Sequence, residues 1–281
     1  MAEFTAKMVM ELREKTSAGM MDAKKALTEA DGDMEKALDI LRAKGQASAA
    51  KRAGRAAAEG IVAISADADG TSLIELNSET DFVARNDDFK ALAHEIAGIA
   101  AKHPGDDAGA LMDEVTEDGQ TIRAKIDAAV GKIGENLVFR RKVRFDSGPE
   151  TVIASYIHTV TNKIGVLVSL KGDPNSAALQ ELAKNIAMHI AASKPQYLKR
   201  DDVPAEVTER EKAVLTEKTR NEGKPEAALP KIVEGRINKF YEDICLVEQP
   251  YVREPSKKIG QLASEAGAEV TRFALFQVGQ E

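Results

Sequence analysis

The stretch that decides the fold is SLIELNSETDFVARNDDFKALA, residues 72–93. It begins with an alternating apolar run, residues 72–76, which predicts a β-strand. It continues with Asp87 and Asp88 ahead of a helical apolar pattern, and carboxylates in a first turn favour a helix start. Phe82 therefore lies at a strand-to-helix turn. Composition alone predicts that such a phenylalanine folds back into the core. The alternative is an aromatic side chain presented to a partner's pocket.

A strand-strand-helix pattern surrounds this stretch and occurs twice. Residues 92–97, LAHEIA, recur as LAKNIA at residues 182–187, and two apolar, strand-like runs precede each copy. A further strand is predicted to close each copy, at residues 137–145 and 271–278. The repeat predicts an α+β fold with two related β-β-α core subdomains, in which helices pack on small sheets.

The N-terminal residues 1–45 predict a bundle of three short helices. Thr5 is a suitable cap for the first helix, and the sequence TSAG at residues 16–19 interrupts it. The second helix is predicted at residues 21–30. Asp33 caps the third, which Gly45 is predicted to end. Bundles of this size are marginal in stability and are typical of docking modules.

The alanine-rich residues 46–59 carry Lys51, Arg52 and Arg55. High helix propensity with little apolar periodicity predicts a solvated linker helix. The alternative is a short basic patch that binds RNA or an acidic partner. Core subdomains are then predicted at residues 60–148 and 149–281.

A helical hairpin is predicted within the second core subdomain, at about residues 204–242. Apolar residues at helical spacing occur on both sides of a Gly-Lys-Pro interruption at residues 223–225. The pattern leaves two alternatives open for the antiparallel hairpin. Its apolar stripe either serves only to join the two helices, or the tip of the hairpin also contacts a partner.

Composition excludes several classes of protein. The 281 residues have a net charge of −7, which does not indicate a general nucleic-acid binder. A single cysteine excludes an internal disulfide and favours a cytoplasmic location. The N-terminal residues lack a basic start and an apolar stretch, so no signal peptide is expected. No run of about 18 apolar residues is present, which predicts no membrane span.

Motifs for catalysis are absent from the sequence. It has no phosphate-binding glycine loop, no dinucleotide fingerprint and no serine nucleophile elbow. His94 and Glu95 begin like a zinc-protease motif, but Gly98 stands where the second histidine is required. The four histidines and Cys245 show no metal-binding spacing. The sequence therefore predicts no enzyme, no catalytic residue, no cofactor and no metal.

Two long signatures carry a resemblance to a known family. They are LREKTSAGMMDAKKAL at residues 12–27 and TDFVAR at residues 80–85. The chain resembles the bacterial elongation factor Ts family, the nucleotide-exchange factors of elongation factor Tu. The match extends to KIGEN at residues 132–136 and to most of the chain. Ser17 stands where glycine is common and Ala23 where cysteine is common.

The resemblance implies a fold and a set of contacts. It implies a ubiquitin-associated-like N-terminal domain, a core of two subdomains and an inserted helical hairpin. It implies that Asp81 and Phe82 enter the partner's GTPase domain near its magnesium, while the N-terminal residues dock on the same domain. The implied partner-binding residues are Thr80, Asp81, Phe82, Val83, Arg13, Met20, Met21, Ile133 and His158.

The implied function is exchange of guanine nucleotide on elongation factor Tu, in its GDP-bound and nucleotide-free states. The chain itself would bind no nucleotide. An RNA-associated or chaperone-like accessory protein of translation is the alternative, supported by the basic run from Arg42 to Arg55 and by the hairpin. That alternative predicts salt-sensitive RNA binding.

Overall fold

The structure is a computed structural model that describes residues 4–16 and 18–280. The chain divides into two compact units. Unit 1 comprises Met1–Asp146, Ile157–Gly165 and Phe276–Glu281, and unit 2 comprises Ser147–Tyr156 and Val166–Leu275. Helices are combined with small sheets throughout, which confirms the predicted α+β class.

The N-terminal part of unit 1 is a bundle of three helices. They are α1 (Ala6–Thr16), α2 (Met20–Glu29) and α3 (Met34–Arg52). The hydroxyl of Thr5 accepts the N–H of Met8 at 3.3 Å, and the Asp33 carboxylate accepts the N–H of Glu35 at 3.0 Å. Both predicted caps are therefore confirmed. Ser17, within the predicted interruption, lies outside the described residues.

The first sheet and its helices follow the bundle. Their elements are β1 (Glu59–Ala66), β2 (Gly70–Ser78), α4 (Asp81–Ala84), α5 (Asp87–Lys102), α6 (Ala108–Leu111), α7 (Ile122–Ile133) and β3 (Val138–Asp146). The strands are antiparallel in the order β1-β2-β3. Phe89 and Ile96 of α5 are fully buried in the main core cluster of this unit. The predicted strand, the closing strand and the helix start at Asp87 are confirmed.

The predicted helix end at Gly45 is wrong. Helix α3 continues through Gly45 to Arg52, so residues 46–52 extend it and do not form a separate linker helix. Gly45 is buried, and a Cβ atom there would lie 3.2 Å from the carbonyl oxygen of Asp127 on α7. The glycine is explained by close approach of two helices, a contact that the local sequence does not contain.

The chain continues with the second copy of the pattern. Its elements are β4 (Thr151–Ile157), β5 (Ile164–Lys171), α8 (Ala177–Ser193), α9 (Ala205–Asn221), α10 (Leu229–Ile244), β6 (Pro250–Tyr251), β7 (Glu254–Lys258), α11 (Ile259–Glu265) and β8 (Glu269–Gln277). The second sheet has the order β4-β5-β8, and β6 pairs with β7. The second predicted closing strand is confirmed as β8.

Helices α9 and α10 form the predicted hairpin. Thr208, near the start of α9, lies 3.2 Å from the Tyr241 hydroxyl near the end of α10. Beyond the end of α9, Glu222 binds Arg236 at 3.1 Å. The start of α9 lies near the end of α10, so the two helices are antiparallel. On α9, Val207 is half-buried, whereas Val214 is exposed.

A buried histidine fastens α8 to the β6-β7 pair in unit 2. His189 is fully buried, and its Nε2 lies 2.9 Å from Oε1 of Gln249. The Gln249 amide nitrogen donates to the Asp243 carbonyl, so its oxygen faces the ring and Nε2 is the donor. Nδ1 accepts the N–H of Val252 at 3.4 Å. Burial lowers the pKa of His189 and keeps the ring neutral.

We expect this histidine to make the stability of unit 2 depend on pH. The folded pKa is lowered from 6.5, so below that pH the unfolded chain binds a proton that the folded chain excludes. The unfolding free energy should then fall by at most about 1.4 kcal/mol per pH unit. Urea unfolding between about pH 7 and pH 5.5 measures this slope. His189→Gln should flatten it, and equal slopes in the two proteins would contradict the assignment.

Candidate partner-binding site

The residues after β2 form a single helical turn, α4, and not an irregular loop. Thr80 has extended backbone and caps the turn, because its hydroxyl accepts the N–H of Val83 at 3.4 Å. The N–H of Arg85 donates to the carbonyls of Asp81 and Phe82 at 3.2 and 3.3 Å and ends the turn. We call residues 80–83 the Phe82 turn. Its backbone is fixed at both ends by hydrogen bonds.

Phe82 faces solvent from this turn. Its side chain is 81% exposed, whereas Ala84 is buried and Val83 packs against the main core cluster of unit 1. The composition-based expectation that Phe82 folds into the core is wrong, because Phe89 occupies that core instead. A large aromatic side chain held outward on a turn whose following residues pack into the core is typical of a contact with a partner.

Asp81 lies beside Phe82 on the same turn. Its carboxylate accepts a hydrogen bond from Nη2 of Arg85 at 2.9 Å, one helical turn further along the chain. An exposed pair at this spacing contributes only a few tenths of a kcal/mol, on the order of 0.5. The pair therefore orients the Asp81 carboxylate only weakly.

Ile133 is linked to the Phe82 turn through the core. It is the last residue of α7, is half-buried, and packs against the same core cluster as Val83. Gly134 follows with φ of 87°, a left-handed conformation that ends the helix and that glycine adopts without strain. The chain then returns to the turn, where Glu135 binds Thr80 at 2.6 Å.

The three predicted residues of the bundle are exposed. Met20 and Met21, in the first turn of α2, are 52% and 64% exposed, and Arg13 is exposed on α1. Adjacent exposed methionines provide an adaptable apolar surface. Met10 on α1 is also exposed. Sequence reasoning missed it, because its helical spacing does not distinguish it from a core position.

His158 lies at the end of β4 in the 157–165 segment of unit 1. It is half-buried, its Nδ1 lies 3.2 Å from the Thr161 hydroxyl, and its backbone N–H donates to Ile164 at 3.0 Å. Two residues further, Val160 is 87% exposed. Sequence reasoning missed Val160, although an apolar residue within a polar loop was a signal for it. All nine predicted site residues belong to unit 1.

Comparisons with known proteins agree with the signatures. The family model for elongation factor TS matches residues 79–280, beginning at the residue before the Phe82 turn. Elongation factor Ts of Alkalilimnicola ehrlichii is 46% identical over 278 residues, which cover 98% of this chain and 92% of that protein. The chain belongs to the elongation factor Ts family. Family membership confirms a role in translation elongation as a nucleotide-exchange factor, with elongation factor Tu as its partner.

The RNA-associated alternative is not favoured in a member of the elongation factor Ts family. Contacts of the basic run agree with this result. Arg52 donates to the carbonyl of Gly134 at 2.9 Å, Arg55 pairs with Glu79 at 3.4 Å, and Lys44 pairs with Asp22. These cations are engaged within the chain, which weakens the case for a phosphate-binding patch.

Neither a metal-binding cluster nor a membrane-crossing helix is found in the described part of the chain. Among residues 4–16 and 18–280, no cluster of three or more histidine, cysteine or acidic side chains is placed to hold a metal ion. Within the same ranges, no helix has the length and apolar character needed to cross a membrane. Cys245 is buried, and burial raises the pKa of its thiol to about 11, so it is a poor ligand and nucleophile.

Proposed function

We propose that this chain releases GDP from elongation factor Tu by inserting the Phe82 turn into the partner's GTPase domain near its magnesium. One observation supports the proposal most strongly. Phe82 is 81% exposed on a turn whose neighbouring residues are anchored in the core. An anchored turn loses little conformational entropy on insertion. More of the free energy of the apolar contact is therefore available to distort the partner.

The mechanism requires no covalent step. A GTPase holds its nucleotide through backbone amides, a lysine and a magnesium ion that bridges the phosphates. Burial of Phe82 contributes roughly 2–3 kcal/mol, which offsets the strain of moving the elements that hold the metal. Asp81 is anionic and does not bind phosphate, so we assign its carboxylate to the surroundings of the metal. The coupling is reciprocal: this chain weakens nucleotide binding, and nucleotide weakens binding of this chain equally.

The remaining predicted residues complete the proposed interface. Arg13, Met20 and Met21 dock the bundle on the same GTPase domain, while Ile133 and His158 contact the partner further from the nucleotide. Exposed methionines at residues 20 and 21 support the first contact. The binding of nucleotide-free as well as GDP-bound partner follows from exchange through a ternary complex.

The division of the chain into domains is part of the same proposal. The three-helix bundle, predicted at residues 1–45 and continued by α3 to Arg52, acts as a ubiquitin-associated-like docking domain. Residues 60–148 and 149–281 act as related core subdomains. The hairpin at about 204–242 is an insertion in the second of these. In both copies two strands precede a long helix, and a later strand closes the sheet in the order β1-β2-β3 or β4-β5-β8, which supports the relation. We expect a cytoplasmic location, since translation elongation takes place there.

We expect this chain to accelerate release of fluorescent GDP from elongation factor Tu at substoichiometric amounts. Each molecule of an exchange factor acts repeatedly, because the incoming GTP displaces it. The measurement is the release rate in excess unlabelled nucleotide, with and without the chain. An unchanged rate with folded chain and active partner would contradict the proposed function.

A further inference from the structure

Two acidic residues bind across the base of the Phe82 turn. Glu135 accepts the backbone N–H of Thr80 at 3.0 Å on Oε2 and the Thr80 hydroxyl at 2.6 Å on Oε1. In the opposite direction, Glu79 accepts the backbone N–H of Asn136 at 2.7 Å. We call Glu79, Thr80, Glu135 and Asn136 the turn clamp. Each carboxylate binds the other segment's backbone, and such charge-assisted hydrogen bonds are stronger than neutral ones.

The clamp controls where α4 begins. The Thr80 hydroxyl has one hydrogen, which it donates to Glu135, and this leaves a lone pair to accept the N–H of Val83. The Ser78 hydroxyl holds the Thr80 carbonyl at 2.9 Å. Phe82 is exposed and has little packing of its own. Its direction is therefore set by the backbone that these hydrogen bonds fix.

The end of α3 and the residues just after it are connected to both segments of the clamp. Nη1 of Arg55 lies 3.4 Å from the Glu79 carboxylate. The backbone carbonyl of Arg55 accepts a hydrogen bond from Nδ2 of Asn136 at 2.7 Å. Arg52 donates through Nε to the Gly134 carbonyl at 2.9 Å. Helix α3 is the third helix of the N-terminal bundle. The clamp thus joins the turn to the helix that leaves the proposed docking domain.

We propose that Glu135 is a positioning residue for nucleotide exchange, which holds the Phe82 turn in the orientation that enters the partner, and that Arg52 and Arg55 fix this clamp to α3. The proposal rests on the proposed function of Phe82. Glu135 itself needs no contact with elongation factor Tu. Its effect passes through Thr80 to Phe82, and this dependence distinguishes positioning from general stabilisation.

The first test compares Glu135→Ala, Glu135→Gln and the control Glu117→Ala. Glu117 is an exposed glutamate of unit 1 whose carboxylate pairs with Lys102, away from the clamp. Stimulated GDP release is measured over a range of factor concentrations. Glu135→Ala should lower the maximal rate about tenfold, while the half-saturating concentration changes less, because the docking surfaces remain. Glu135→Gln should recover part of the rate, since its amide oxygen still accepts from Thr80. Glu117→Ala should behave as wild type.

The second test combines Glu135→Ala with Phe82→Ala. If Glu135 acts through Phe82, the double variant should release GDP no more slowly than Phe82→Ala alone. A further loss as large as that of Glu135→Ala in the wild-type background would overturn the positioning role. If Phe82→Ala alone leaves the rate unchanged, the proposed function fails first, and the two failures are thereby distinguished.

Hydrogen exchange of the free protein supplies a readout without the partner. In Glu135→Ala, the amides of Thr80 and Val83 should exchange at least about tenfold faster, while the amides of β2 keep their wild-type rates. If the amides of residues 80 and 83 exchange in Glu135→Ala at the same rates as in wild type, the proposal is overturned. Should the alanine variant also lose protection in β2, Glu135→Gln takes its place in the same double-variant comparison and decides the matter.

Discussion

Phe82→Ala is expected to lower the maximal rate of GDP release from elongation factor Tu by about 30- to 150-fold. Burial of a phenylalanine side chain is worth roughly 2–3 kcal/mol, and each 1.4 kcal/mol changes a rate about tenfold. The full effect requires that the side chain is buried only in the complex that loses nucleotide. Its 81% exposure in the free chain means that little of that burial is used in folding, so nearly all of it is available in the complex.

The same exposure predicts that the variant stays folded. Removing a solvent-facing side chain should change the unfolding free energy by no more than about 0.5 kcal/mol. The matched control is Val115→Ala, another exposed apolar residue of unit 1 outside the candidate site. Stopped-flow release of fluorescent GDP at saturating factor measures all three proteins. A folded Phe82→Ala variant that matches wild type and Val115→Ala would remove the insertion mechanism.

Local signals were sufficient for most of the elements. The strand-strand-helix repeat was predictable because short apolar runs of strand length precede apolar residues at helical spacing in α5 and α8. Asp33 and Thr5 cap helices through contacts two or three residues away, so their role is visible locally. The hairpin was predictable for the same reason, since its interruption at residues 223–225 separates two helical patterns.

The predictions from sequence were wrong where a contact between residues far apart in the chain determines the local structure. Gly45 has the local features of a helix end, yet its reason is the packing of α3 against Asp127, far along the chain. Phe82 and Phe89 differ little in their neighbours, but one is exposed and the other fully buried. Seven residues separate them, and only the position of the turn relative to the sheet selects which one enters the core.

The residues of the Phe82 turn were predictable from the sequence, but the hydrogen bonds that hold the turn in place were not. The signature containing residues 80–85 indicated the Phe82 turn, but Glu135 was not among the predicted site residues. Its bonds to Thr80 join positions 55 residues apart. An acidic side chain at such a position is ordinarily a solvated surface group. The KIGEN stretch at residues 132–136 carries part of the resemblance, but nothing in it indicates the contact of Glu135 with Thr80.

Glu75 is the clearest case of a residue whose role depends on a distant partner. The sequence pattern of the strand does not predict whether the side chain of residue 75 faces the core or solvent. In the structure this side chain is fully buried. Arg141 donates through Nε to its Oε2 at 2.7 Å, and Asn77 donates to its Oε1 at 3.0 Å. Arg141 also donates to the carbonyls of Gln277 and Gln280, both at 3.1 Å. Glu75 thus anchors the arginine that holds the C-terminal segment of unit 1.

Glu75→Ala is expected to lower the unfolding free energy of unit 1 by about 3 kcal/mol. Removal of one partner from a buried ion pair costs about 3–5 kcal/mol, because the remaining charge is left without compensation. The lower end applies, since Arg141 is partly exposed and keeps access to water. The residues that Arg141 binds near the C-terminus should lose protection first.

Hydrogen exchange resolved by residue is the appropriate measurement, because the two units need not unfold together. The isosteric control Glu75→Gln keeps the volume and one acceptor oxygen, so its loss should be clearly smaller. Glu117→Ala breaks a solvent-exposed pair with Lys102 and should leave the exchange rates of unit 1 close to those of wild type. A loss for Glu75→Ala no larger than for this surface control would show that the buried pair does not hold the segment. Faster exchange confined to unit 2 would contradict the assignment in the same way.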